Sequence, residues 1–163
     1  MTTFGRILVF SVLVVACGSP AVQQDNPYAS SLLRKRDSLD ELQTVLKIQL
    51  DSMWNYANGK LAEMLPANMP DQERTNMLAL RNAPLIRMFE VYATLPESIH
   101  KLIDSAYYFD KRVVQQLEGI VGERAENETK IEDFLIELSN DKQVQSTFDY
   151  WNKQFNATDE VQK

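Results

Sequence analysis

The sequence predicts an all-α protein, an antiparallel bundle of about four helices, and three observations carry that reading. No β-branched alternating run appears after Ala21. Beyond residue 18 only Gly59, Gly119 and Gly122 remain, too few glycines for a turn-rich β fold. Apolar residues instead recur at three- and four-residue steps, the period of one helical face.

The first element is of another kind. Arg6 precedes ten residues, Ile7 to Ala16, that are apolar except for Ser11. As a helix they would span about 15 Å, half of a roughly 30 Å hydrocarbon core. That length suits a signal peptide and not a membrane span. The stretch ends in Val14-Val15-Ala16-Cys17, followed by Gly18. This resembles the lipobox of bacterial lipoproteins, and the resemblance covers only about the first 18 residues. It implies cleavage before Cys17 and lipidation of its thiol, hence a membrane-anchored protein of the cell envelope. The glycine after the cysteine resembles the outer-membrane sorting class. Residues 1–16 are therefore expected to be the signal peptide, and 17–29, with Pro20 and Pro27, a polar tether.

Removing the first 16 of 163 residues leaves 147, enough for one domain with one core. Losing Arg6 leaves 16 basic against 23 acidic side chains, a net −7, which disfavours nucleic acid as a partner. Cys17 is the only cysteine, so no disulfide supports the fold and packing must do so.

The expected bundle covers 30–158, with a frayed tail over 159–163. Its first helix runs from Ser30 or Ser31 to Leu65 on Leu32, Leu39, Leu42, Leu46, Leu50, Met53, Ala57, Leu61 and Met64. Pro66 and Pro70 end it. The next stripe is the strongest: Leu78, Leu85, Tyr92, Ile99, Ala106, Val113 and Ile120 stand seven apart. Pro84 reads as a kink in a helix continuing from 71 to 93. Pro96, inside Thr94-Leu-Pro-Glu97, reads as a fresh start. The alternative is three long helices with a kinked middle one. Gly119 and Gly122 are expected to end this run, and Glu123 to Glu128 to form an acidic connection. A last helix then begins near Asn127 or Thr129, at Thr129-Lys-Ile-Glu132. Its face is Ile131, Phe134, Leu135, Leu138, Phe148, Trp151 and Phe155, with a polar waist at 139–143.

Residues for chemistry are sparse. His100 is the only histidine, and Glu97-Ser-Ile-His100 has the spacing found in di-iron bundles without the second copy such a site needs. Asp104, four residues on, is its expected surface partner. Arg34-Lys35-Arg36 reads as a solvated turn answered by Asp37, Asp40 and Glu41. Asn127-Glu-Thr129 and Asn156-Ala-Thr158 match a glycosylation sequon, read as chance beside a bacterial signal. No nucleophile–base pair and no phosphate-cradling loop can be assembled, so neither a catalytic residue, a metal nor a cofactor is expected. Arg81 and Asn82 fall at seam positions beside Pro84, and a buried polar waist there would need water, a ligand or a partner. Tyr107, Tyr108 and Tyr150 lie off the seams, where amphipathic rings suit a protein partner. The functional expectation is a non-enzymatic, lipid-anchored interaction or scaffolding bundle with an envelope protein as partner. A ligand-binding bundle using the Arg81–Asn82–Pro84 kink is the alternative.

Overall fold

The computed structural model describes residues 26–157, and among these there is no strand. The protein is an all-α bundle built on α1 (Pro27–Met64) and α4 (Glu97–Ser139). At 38 and 43 residues these helices are about 57 and 64 Å long. Between them come α2 (Asp71–Ala79), α3 (Ala83–Ile86) and a 3₁₀ turn over Glu90–Thr94; after them comes α5 (Gln145–Asn156). No described helix is long and apolar enough to cross a membrane.

The chain divides into two compact units. The larger, 31–132, is a hairpin of α1 against α4 with α2, α3 and the 3₁₀ turn packed on it. Trp54, Leu61, Met77, Ile86, Ile99 and Ile103 are its main buried core, joined by Leu65, Met69 and Leu95. Along the rest of the hairpin the core thins to Leu39, Leu46, Val113 and Ile120, with Leu50, Phe109 and Leu117 against it. The pairs Asn127–Leu32, Arg124–Asp40 and Trp54–Asp110 run in opposite directions along the two helices, so α1 and α4 are antiparallel. In the smaller unit, Trp151 and Phe155 of α5 pack edge-on or tilted around Phe134, with Tyr28 on its other edge.

Helix α1 starts earlier than the expected Ser30. Asn26 accepts the Ala29 N–H on its side-chain oxygen at 3.0 Å and the Ser30 N–H on its carbonyl at 2.9 Å. Pro27 occupies the first turn, where a missing N–H costs nothing. At the other end Arg74, from α2, donates to the carbonyls of Ala62, Leu65 and Pro66. One guanidinium thus satisfies acceptors that the helix end leaves open.

Two expectations are corrected. The helix from 71 to 93 does not exist: α2 ends at Ala79, and Leu80 is extended. Asn82 precedes α3 and its carbonyl accepts the N–H groups of Leu85 and Ile86, each at 3.1 Å. Pro84 lies in the first turn of that helix and is a start signal rather than a kink. The second correction concerns Gly119 and Gly122, which lie inside α4, as do Glu123 to Glu128. Each glycine costs about 1 kcal/mol relative to alanine in a helix interior. Burying Val113, Ile120 and Ile131 along one face opposes that cost. Thr129 caps nothing; its hydroxyl donates to the Ala125 carbonyl one turn back. The polar waist is the true break, where Asp141 accepts the Gln143 N–H at 2.8 Å. The fresh start at Pro96 stands, though its capping box does not form. Thr94 donates to Val91 and Glu97 pairs with Lys101.

Because Pro84 fits a first turn, Pro84→Ala should destabilise the protein by about 0.5–1 kcal/mol through added freedom in the unfolded chain. Urea unfolding checks this, and a stabilised variant would contradict the helix start.

Candidate functional site

Arg81 and Asn82 do not form the hydrated kink expected of them. Arg81 is exposed and reaches Asp51 of α1 at 3.0 Å, tying the α2–α3 link onto the hairpin. Asn82 is half-buried, and its side-chain oxygen is buried without a hydrogen-bond partner. Leu80 is extended, and its carbonyl belongs to no continuing helix. Tyr107 packs at the edge of the main core, under the Lys111 ammonium, while Tyr108 is 66% exposed. Tyr150 belongs to the smaller unit, half-buried and edge-on to Trp151. Cys17 lies outside the described residues.

His100 has a structural post. Its ring stacks on Tyr92 at 4.3 Å, and Nε2 lies 2.7 Å from the Tyr92 carbonyl, which can only accept. Nε2 therefore carries the proton, and the histidine holds the 3₁₀ turn against α4. Asp104, its expected partner, pairs with Arg87 instead. Among the described residues no group of three or more His, Cys, Asp or Glu is placed to hold a metal.

The polar seam of the hairpin escaped the sequence reading. Trp54 is buried, and its indole N–H donates to Asp110 Oδ2 at 2.6 Å. Asn127 is 1% exposed and donates to the Leu32 carbonyl at 3.1 Å. That burial also removes it as a glycosylation acceptor in the folded protein. Arg124 lies 3.1 Å from Asp40 and bonds Gln43, and Lys35 reaches Glu123 at 3.3 Å. Arg36, expected in a solvated turn, is instead among the buried residues. Asn127 was signalled: it continues the seven-residue series from Ile99 through Ile120. A polar residue at such a position selects register.

With their seam faces turned to α4, the outward positions of α1 should be polar. Several are not. Leu42, Val45, Ile48 and Tyr56 are 41–62% exposed. Ile48, Gln49, Ser52, Met53 and Tyr56 meet Phe109 of α4 along an open groove of about 560 Å³. A second groove shares Met53 and Phe109 and extends beside Ser105, Tyr108 and Arg112. The other flank of α1 is charged, with Asp40 and Asp51 held by Arg124 and Arg81. At the far end of the apolar face, Glu63 accepts from Lys60 at 2.8 Å. That hydrogen bond raises the ammonium above the usual lysine value. The face thus combines an open groove with exposed apolar side chains.

Asp110→Ala would leave the buried Trp54 N–H unpaired and should cost about 1–3 kcal/mol in urea unfolding. Asp110→Asn keeps an acceptor and should lose less; equal losses would show that the indole bond is not what matters. The chain matches no protein-family model, no curated protein and no solved structure, so its site stands on its own geometry.

Proposed function

We propose that this is a lipid-anchored protein of the bacterial envelope whose helical hairpin is a non-enzymatic docking surface for protein. One observation carries the docking reading: the exposed apolar stripe of Leu42, Val45, Ile48 and Tyr56 on a helix whose opposite flank is charged. Scattered exposed apolar residues need no explanation, but a contiguous set along one helix face marks an interaction surface. The anchoring reading rests on the lipobox residues Val14-Val15-Ala16-Cys17. The Asn26 cap stands nine positions after the cysteine, a reach of at most about 32 Å. Such a tether would hold the hairpin beside the bilayer. A ligand-binding reading at the α2–α3 link has the buried, unpartnered Asn82 oxygen in its favour.

Two outcomes test the proposal. Cys17→Ala should move the protein out of the membrane fraction or leave it unprocessed, because several acyl chains at about 0.8 kcal/mol per buried methylene would anchor it. Retention of a processed Cys17→Ala chain in washed membranes would sink the lipid reading. Ile48→Asp with Tyr56→Asp should change stability by less than about 0.5 kcal/mol, as both side chains are exposed. The same pair should abolish the protein's crosslinked species in intact cells. Unchanged crosslinking would exclude this face as the docking surface.

A further inference from the structure

On the exposed face of α1, three pairs of residues equidistant from one midpoint are either small or opposite in charge. Its small residues recur every seven positions, Ser38, Val45, Ser52 and Gly59, and all four are exposed. No atom lies within 4 Å of where a Cβ on Gly59 would stand. The midpoint of the series falls between Ile48 and Gln49. Ser38 and Gly59 are equidistant from that point, as are Val45 and Ser52. So are Arg34 and Glu63, of opposite charge and both exposed.

From this we infer that the face binds a second copy of the same chain, α1 against α1, antiparallel about a two-fold axis beside Ile48 and Gln49. The inference rests on the docking reading above and names its partner. In a two-fold contact the same patch meets itself, so every residue must suit the one at its mirrored position. Three mirrored pairs of this face meet that condition. Arg34 of each copy faces Glu63 of the other, giving two opposite-charge pairs about 44 Å apart at the ends. Glu63, which already receives Lys60, has lone pairs to accept both cations. In between, Ser38 meets Gly59 and Val45 meets Ser52. Small side chains in a heptad column let two backbones approach at the close end of the usual 8–10 Å range. Leu42, Ile48 and Tyr56 flank that column and would be covered from both sides. A parallel pairing would set Arg34 beside Arg34 and Glu63 beside Glu63, so charge selects the antiparallel sense. Two hairpins joined this way make a four-helix layer with α1 at its centre.

A photo-crosslinking residue at Gln49 of the full-length chain, in cells, tests the proposal because that position lies at the axis. The expected product is an adduct of twice the chain's mass, absent when the probe sits at Thr44 on the charged flank. Arg34→Glu would place two acidic side chains together at each end and should lower the Gln49 adduct about tenfold. Adding Glu63→Arg to it should restore the adduct, since both pairs re-form with signs exchanged. Failure of the double variant to restore the adduct overturns the two-fold arrangement. An adduct with a different protein overturns self-association and leaves the docking reading intact. With no adduct at all, both fall.

Discussion

Everything in this molecule depends on two helices of more than ten turns each keeping one register. A two-helix hairpin has little core per residue, and Leu39, Leu46, Val113 and Ile120 are too alike in shape to forbid a slip. Polar contacts supply what apolar packing lacks. Asn127 meets a main-chain carbonyl at Leu32, and Trp54 meets a carboxylate at Asp110. Sliding α4 by one turn would leave a buried amide and a buried indole N–H without partners, each loss worth about 1–3 kcal/mol. The Asp40–Arg124 pair, partly exposed, adds less to stability than it does to orientation.

The same register decides what the protein shows to its surroundings. Once α4 occupies one side of α1, and the link held by Arg81–Asp51 covers part of another, the face from Ser38 to Gly59 is left open. Its grooves are open, and the proposed docking reading places a long helical surface along them. At the two ends of α1, Asn26 and Arg74 satisfy backbone groups that a helix end leaves open.

The helical class and the seam from Ile99 to Ile120 were legible because an apolar period survives any detail of the ends. Where the structure departs from the sequence pattern the cause is common: a helical face that continues beyond a local stop signal overrides it. Gly119, Gly122 and Thr129 look like stops and caps in isolation. The heptad series nevertheless runs on through Asn127 to Phe134, both buried, and tertiary burial outweighs about 1 kcal/mol per glycine. At Pro84 the departure runs the other way, since Leu78, Leu85 and Tyr92 keep the spacing while the backbone breaks at Leu80. Leu85 turned out exposed. Trp54 with Asp110 could not be foreseen, because the partners stand 56 residues apart and nothing local links an indole to one carboxylate among many. The exposed α1 stripe is partly visible in Leu42, an apolar residue of the expected α1 face that lies exposed. Only burial shows which of its columns face outward.

Amide hydrogen exchange over residues 119–132 tests the central claim, an unbroken α4 in one register beside α1, more directly than any variant. A continuous helix predicts that these amides exchange slowly, in one cooperative unit with those of 103–113, despite two glycines and a run of carboxylates. Fast exchange confined to 119–128 would mean a loop between two separate helices. The seam contacts of Arg124 and Asn127, and the register they hold, would then be wrong.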